Sequence, residues 1–225
     1  MGNRGRLLAQ MLVKGMAGCG IPGIILFVCA GSLEYAAAWR FLAIFAALLL
    51  TMGLFLLMKQ PETLARRLRS KETEKPQKLV MLLSVLVFAA CFVLAGLDWR
   101  FGWSNMPLGG EIAALAVFAG GYALFTAVLL QNAYASRTVE VQASQKVIDT
   151  GLYAAVRHPM YLAAAVLFLA MPLSLGSYIA FLPMLTVPAV LALRIRNEEA
   201  VLLAGLPGYA AYTKKTKYRL IPFIW

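Results

Sequence analysis

Six apolar runs dominate the pattern of hydrophobic and polar positions along this chain. Their approximate limits are 15–33, 41–58, 79–97, 111–131, 160–171 and 178–193. The first four are close to the roughly 20 residues that a helix needs to cross a bilayer. The last two are marginal in length, and Pro183 and Pro188 interrupt the second of them. We therefore predict an all-α, polytopic transmembrane helical bundle of about six membrane segments, ending in a short helical hairpin and a cytoplasmic tail.

This pattern divides the chain into three parts. Residues 1–58 are expected to form a transmembrane hairpin, 59–78 a charged cytoplasmic interruption, and 79–225 the remaining transmembrane core. In the interruption, Leu64 and Leu68 stand at helical spacing, which predicts a short amphipathic helix on the membrane surface. A segment that sets the membrane topology is the favoured interpretation, and a segment that reads a substrate is the alternative.

The composition agrees with a membrane protein, since 61% of the residues are hydrophobic and only 14% are charged. The net charge of +11 does not indicate nucleic-acid binding, because the basic residues form neither a stripe nor a patch interleaved with aromatic residues. The three cysteines lie in apolar runs without metal-ligand spacing, and one histidine cannot complete an ordinary zinc site. We expect membrane lipids around the protein, and neither nucleic acid nor a metal as a partner.

The basic residues indicate the orientation. If both termini, 59–78 and 132–159 share one side of the membrane, all of the 21 lysines and arginines except Arg40 and Arg100 lie there. Such an excess is typical of cytoplasmic segments. We therefore expect cytoplasmic N- and C-termini.

The only histidine, His158, stands between Arg157 and Pro159. Proline suits the first turn of a helix and pushes the preceding residue towards extended backbone, so we predict that a helix begins at Pro159. The unpaired amides of that turn and the adjacent cations could seat a carboxylate or phosphate. Tyr153 and Tyr161 add rings that can stack and hydroxyls that can hydrogen-bond. An ordinary membrane-interface cluster of arginine and tyrosine is an equally good interpretation of this stretch alone.

A second polar cluster follows the last apolar run. Arg194 and Arg196 precede two adjacent carboxylates, Glu198 and Glu199. Taken alone, the carboxylates fit the solvated start of a helix with Asn197 as its cap. Ionisable residues at membrane depth are, however, often functional.

Two tyrosines follow in the tail. Tyr209 and Tyr212 stand at i, i+3 spacing, on one face of a short predicted helix. If both polar clusters shared a cytoplasmic pocket with these rings, the pocket would suit a zwitterionic, aromatic ligand.

Four stretches of the C-terminal part carry a resemblance, in order and in spacing. They are Gly-Leu-Tyr-Ala-Ala-Val-Arg-His-Pro-Met-Tyr at 151–161, Arg-Asn-Glu-Glu-Ala-Val-Leu at 196–202, Gly-Tyr-Ala-Ala-Tyr at 208–212 and Arg-Leu-Ile-Pro at 219–222. Together they resemble the isoprenylcysteine carboxyl methyltransferase family, which belongs to a wider group of integral-membrane methyltransferases that includes phospholipid N-methyltransferases. The resemblance covers about 130–222. The run that starts at Pro61 also resembles bacterial members, which implies a bacterial inner membrane.

The resemblance implies a site for S-adenosyl-L-methionine, closed by the C-terminal tail. The implied cofactor-binding residues are Val147, Gly151, Tyr153, His158, Pro159, Tyr161, Glu198 and Glu199. Of these, the first three would lie along the cofactor and His158 and Tyr161 would hold its amino-acid portion. The two glutamates would bind amino or ribose groups.

The resemblance also implies how the acceptor is held. Arg157 and one of Arg194 or Arg196 would orient it as catalytic residues. The family's frequent Gly-Pro-Tyr is Gly-Leu-Tyr in this chain, and Leu162 begins a stretch where many members have an early glycine, so the substrate entrance is expected to differ in shape.

Several functions fit this reading. The first is methyl transfer from S-adenosylmethionine to a lipophilic acceptor, such as a prenylcysteine-like carboxylate or another small acid, thiol or amine. Phospholipid N-methylation is a close alternative. A non-catalytic membrane binding or transport protein on a degenerate methyltransferase fold, and a membrane reductase that uses a nicotinamide cofactor, are the alternatives from other classes.

Overall fold

The computed structural model describes residues 2–68, 75–134, 141–142 and 145–225. Within these ranges the chain is helical and contains no strand. In chain order the helices are α1 (Gly2–Ala30), α2 (Ala36–Lys59), α3 (Pro61–Leu68), α4 (Lys75–Phe101), α5 (Leu108–Gln131), α6 (Leu152–Ala155), α7 (Pro159–Ser174), α8 (Phe181–Met184), α9 (Val187–Gly205) and α10 (Tyr209–Lys215). The predicted all-α fold is therefore confirmed.

Among the described residues, four helices are long and apolar enough to cross a membrane, namely most of α1, α2, most of α4 and α5. Their outer faces carry large apolar side chains, and Val28, Trp39 and Val85 are all more than half exposed. Such a surface is unfavourable in water, whereas lipid tails solvate it. The chain is an integral, multi-pass membrane protein, as its sequence predicts.

The first helix begins earlier than the apolar run at 15–33 predicts. Residues before this run are also helical, because their apolar side chains pack against the C-terminal half of α2. The sulfur of Met11 lies against Gly53, and Leu7 belongs to one apolar cluster with Leu56.

The charged interruption contains the predicted amphipathic helix. In α3, Thr63 and Leu64 are buried, whereas Glu62 is exposed. Arg66 donates a hydrogen bond of 2.5 Å to the carbonyl of Ala133 just beyond α5, so α3 lies at the same end of the bundle as the C-terminus of α5. Residues 69–74 of the interruption lie outside the described ranges.

Helices α5 and α7 pack closely against each other, and a glycine makes this approach possible. A Cβ atom at Gly121 would meet Cγ1 of Val166 at 3.1 Å and the backbone nitrogen of Leu167 at 3.3 Å. Small residues let membrane helices approach in this way. The contact fixes α7, and with it the His158 segment at its N-terminus.

The C-terminal hairpin is kinked. Helix α7 has only 16 residues, and the second apolar piece is divided between α8 and the start of α9. Pro183 lies inside α8 and Pro188 in the first turn of α9, where proline interrupts or begins a helix. This agrees with the expected kinked hairpin.

The extent of α9 shows that one interpretation of the paired carboxylates is wrong. Glu198 and Glu199 do not begin a helix capped by Asn197, because α9 begins at Val187 and continues to Gly205. Glu199 is only 4% exposed, so it is not a solvated residue either. Helix α9 begins in the apolar residues before the two glutamates, and the glutamates therefore lie within the helix.

At the opposite end of the bundle, Asp98 holds the hairpin turn. Its carboxylate accepts hydrogen bonds of 2.6 Å from both the backbone nitrogen and the hydroxyl of Ser104, and another from the hydroxyl of Ser177. This buried carboxylate therefore joins α4 to the turn after α7.

Candidate active site

The segment before α7 is shaped by a glycine that no other residue would replace easily. Gly151 has φ 58° and ψ −128°, a conformation that disfavours any side chain. A Cβ atom there would meet Nε2 of Gln131 at 1.9 Å. Instead, the Gln131 side chain accepts a hydrogen bond of 3.1 Å from the backbone nitrogen of Leu152. The turn ties the short helix α6, which carries Tyr153, to the end of α5.

The C-terminal tail runs beside the His158 segment. The backbone nitrogens of Arg157 and His158 donate hydrogen bonds of 2.9 Å to the carbonyls of Tyr218 and Arg219. Helix α7 then begins at Pro159, as predicted. The tail thus satisfies the extended backbone that precedes this proline, and it brings Arg219 to the site.

Glu199 is the point at which three parts of the chain meet. Its Oε1 lies 2.7 Å from Nε of Arg157 and 3.2 Å from Nε2 of His158. Its Oε2 lies 2.7 Å from Nε of Arg219. Burial disfavours the ionised carboxylate, but hydrogen bonds from His158 and Arg219 and the charge of Arg157 outweigh it and lower the pKa of Glu199 to about 2. Both oxygens are therefore committed to protein partners.

Glu198 belongs to a different set of contacts. It accepts a hydrogen bond from the hydroxyl of Tyr161, and that hydroxyl accepts one of 2.8 Å from Nε of Arg194. The Tyr161 ring is stacked with the His158 ring at a centroid distance of 5.7 Å. The Tyr161 hydroxyl thus holds the carboxylate of Glu198 and the guanidinium of Arg194 next to each other.

A cavity joins these contacts to an aromatic wall. Seven of the residues expected at the site line it, namely Val147, Tyr153, Arg157, His158, Tyr161, Arg194 and Glu198. The other expected residues do not. Gly151 and Pro159 shape the backbone around the cavity, Glu199 lies behind it, and Arg196 has an exposed side chain.

The aromatic wall is formed by the tail and α6. The hydroxyl of Tyr212 donates a hydrogen bond of 2.7 Å to the carbonyl of Tyr153. The side-chain amide of Asn132 donates one of 2.9 Å to the hydroxyl of Tyr153. Tyr209 and Leu206 belong to the same buried cluster and also line the cavity. The i, i+3 spacing of the tyrosines indicated one shared face, and both are buried in α10.

Several lining residues were missed from the sequence. They are Asn132, Tyr134, Gln145, Lys146, Ile148, Met160, Leu202 and Leu206. Leu202 in α9 and Leu206 directly after it follow Glu198 at spacings of four, so helical periodicity could have identified them once the helix was known to continue. Asn132 carries no such signal. Residues 135–140 and 143–144 lie outside the described ranges.

Residues 112–204 match the model of the isoprenylcysteine carboxyl methyltransferase (ICMT) family. The fold is similar to a solved structure of the eukaryotic intramembrane Ras methyltransferase ICMT, with a TM-score of 0.55 and 18% sequence identity over 95% of this chain and 77% of the other. A search of curated proteins gave no match. The matched segment contains both polar clusters, from the His158 segment to the paired carboxylates.

Proposed function

We propose that this chain is a member of the isoprenylcysteine carboxyl methyltransferase family and that it transfers a methyl group from S-adenosylmethionine to a lipophilic acceptor at the cytoplasmic face of the membrane. The match of residues 112–204 to the model of that family supports the proposal. The observation that carries the proposal is the shared cavity. The His158 segment and α9, separated by about 40 residues, meet around it through the contacts of Glu198 and Glu199. A membrane protein that needed only a helical bundle would not require this convergence of charge.

The chemistry of the lining residues fits the donor. S-adenosylmethionine combines a zwitterionic amino-acid part, a sulfonium and an aromatic nucleoside. One end of the cavity offers His158, Tyr161 and the Glu198 carboxylate, which can bind the charged part. The other end offers Val147 and Tyr153, which can pack against the nucleoside.

The paired glutamates have separate tasks in this proposal. Glu198 faces the cavity and binds the donor's ammonium or a ribose hydroxyl. Glu199 positions the site, since its two oxygens hold Arg157, His158 and Arg219. It therefore fixes the imidazole and the tail that closes the cavity, without itself touching the donor.

The acceptor is held by arginine and by apolar surface. Arg194 lines the cavity and can orient an anionic acceptor group, whereas Arg196 points away and has no such position. Arg157 also lines the cavity, but Glu199 and the carbonyl of Thr216, 3.1 Å away, hold its guanidinium. We assign Arg194 the direct role and Arg157 the role of keeping the local potential positive.

Bound S-adenosylmethionine supplies a methyl group on a positively charged sulfur, which a carboxylate, thiolate or amine can attack directly. The residues of the chain align the two reactants and exclude water. Alignment of this kind is worth roughly 7 to 11 kcal/mol of the barrier. The apolar wall and the tail supply the dry enclosure.

The cytoplasmic placement rests on charge. The end of the bundle that carries the cavity also carries α3 and the tail, which are rich in lysine and arginine. Since such segments stay in the cytoplasm, a soluble donor would reach the cavity from that side and the acceptor would arrive from the lipid. By its resemblance to bacterial members, we place the protein in a bacterial inner membrane.

Incubation of the protein in lipid nanodiscs with methyl-labelled S-adenosylmethionine tests this function. The acceptors should be a prenylcysteine, a long-chain fatty acid, an alkyl thiol and an aminophospholipid, each alone, and then a total lipid extract. We expect label in a base-labile ester of the prenylcysteine. Label in the aminophospholipid alone would favour phospholipid N-methylation, and no label from any acceptor or from the extract would contradict the proposed activity.

A further inference from the structure

The hydroxyl of Tyr209 is a buried polar group without a hydrogen-bond partner among the described residues. The residue is only 4% exposed, and the hydroxyl itself is closed to solvent. An unsatisfied buried hydroxyl is unfavourable and uncommon in a native structure. Its position therefore requires an explanation.

The neighbouring tyrosines show how unusual this is. The hydroxyl of Tyr212 donates to the carbonyl of Tyr153, and the hydroxyl of Tyr153 accepts from Asn132. Tyr209 packs against Tyr212 with ring centroids 5.7 Å apart, yet it shares none of these contacts. Among the described residues, the hydroxyls of Tyr153 and Tyr212 thus have hydrogen-bond partners, whereas the hydroxyl of Tyr209 has none.

The electrostatic setting makes the group a donor. Burial, and then the nearby charges of Glu199 and Glu198, raise the pKa of Tyr209 well above its usual value. The hydroxyl therefore keeps its proton at neutral pH. Because this hydroxyl has a proton to donate and no acceptor among the described residues, it can form a hydrogen bond with a ligand that carries an acceptor atom.

The location indicates which part of the ligand this is. Tyr209 forms part of the cavity wall and belongs to the apolar cluster with Tyr153, Leu206 and Tyr212. That cluster forms the aromatic end of the cavity, whereas Tyr161 makes the charged contacts with Glu198 and Arg194. Under the proposed function, on which this step rests, the aromatic end receives the nucleoside.

We propose that Tyr209 is a binding residue for the methyl donor, and that its hydroxyl donates a hydrogen bond to the nucleoside part once the donor fills the cavity. Purine ring nitrogens and ribose oxygens are both suitable acceptors. Because the hydroxyl is closed to solvent in the ligand-free protein, the cavity wall, of which the ring is a part, must adjust for the contact to form.

Two measurements on Tyr209→Phe test the assignment. Calorimetry with S-adenosylhomocysteine in nanodiscs should show affinity roughly five-fold weaker than that of the wild type, the usual effect of one neutral hydrogen bond. The thermal unfolding midpoint of the ligand-free protein should stay the same or rise, since the variant loses an unsatisfied hydroxyl. A purely structural tyrosine would instead lower that midpoint, as we expect for Tyr212→Phe.

The matched control is Tyr178→Phe, a half-exposed tyrosine at the opposite end of the bundle, for which affinity and midpoint should both be unchanged.

Displacement by methylthioadenosine, which keeps the nucleoside and lacks the amino-acid part, should weaken by the same factor in Tyr209→Phe. Equal affinity of wild type and variant for S-adenosylhomocysteine would overturn the proposal. A deficit absent with methylthioadenosine, or failure of that compound to displace ligand from the wild type, would overturn the assignment to the nucleoside. Absence of any binding by the wild type would instead contradict the proposed function.

Discussion

The imidazole Nε2 of His158 lies 3.2 Å from Oε1 of Glu199, although 41 positions separate the two residues in the chain. The same oxygen lies 2.7 Å from Arg157, and the other oxygen lies 2.7 Å from Arg219 of the tail. One buried carboxylate therefore joins the start of α7, the middle of α9 and the C-terminal tail. This junction leaves the adjacent Glu198 to face the cavity.

The two glutamates should respond differently to substitution. Glu199→Ala leaves Arg157 and His158 buried without their partner, so we expect the free energy of unfolding to fall by about 3 to 5 kcal/mol. Glu198→Ala removes one acceptor of Tyr161, whose hydroxyl keeps its contact with Arg194, so the loss should be about 1 kcal/mol. Thermal or denaturant unfolding in detergent measures both. Equal losses for the two variants would contradict the division of roles.

Acid should weaken the same junction. The pKa of Glu199 is lowered from its ordinary value of 4.5 to about 2 in the folded protein, so the ionised carboxylate favours folding. Its contribution is complete above about pH 4.5 and is lost as the pH falls towards 2. We expect the unfolding midpoint of the wild type to fall across this range by more than that of Glu199→Gln, which lacks the titrating group. Parallel curves for the two proteins would show that Glu199 does not ionise in this way.

The contact between α5 and α7 gives a prediction with an internal control. Gly121→Leu places a side chain against Val166 and Leu167, and we expect a loss of roughly 1 to 3 kcal/mol from overpacking. Gly120→Leu should have little effect, because nothing lies within 4 Å of a Cβ at that position. Unfolding in detergent compares the two. Tolerance of leucine at both positions would mean that the helices do not pack as closely as described.

The turn before α6 is expected to depend on its glycine. Gly151→Ala should destabilise the protein and weaken binding of S-adenosylhomocysteine, because the conformation at φ 58° disfavours a side chain and the Cβ would displace Gln131. Gly102 also has a positive φ, of 65°, but a Cβ there meets nothing within 4 Å. Gly102→Ala should therefore cost only the conformational strain, about 1 kcal/mol, and leave binding intact. If both variants bind equally well, the turn does not position the site.

Local chemistry explains what could be predicted from the sequence. The helix start at Pro159 follows from the restricted φ of proline, and the close helix approach at Gly121 follows from the lack of a side chain. The membrane segments follow from continuous apolar runs. Each of these depends on a few neighbouring residues, which a sequence displays directly.

The rest depends on contacts between distant parts of the chain. Nothing local in the sequence shows that the tail returns to Glu199, where Arg219 and Arg157 contact its two oxygens, so the positioning role proposed for Glu199 could not be predicted. That the Tyr209 hydroxyl lacks a hydrogen-bond partner among the described residues can be recognised only when the neighbours of that hydroxyl are known. Arg194 and Arg196 could not be separated by sequence alone, because only the course of α9 decides which one faces the cavity.

The central claim is that the His158 segment and Glu198 form one pocket for the methyl donor. Calorimetric titration of the protein in nanodiscs with S-adenosylhomocysteine tests it most directly. The wild type and the control Glu62→Gln, whose carboxylate is exposed, should bind, whereas His158→Ala and Glu198→Ala should show no measurable binding while remaining folded. Absence of binding by the folded wild type, or binding by both cavity variants with unchanged affinity, would contradict the account.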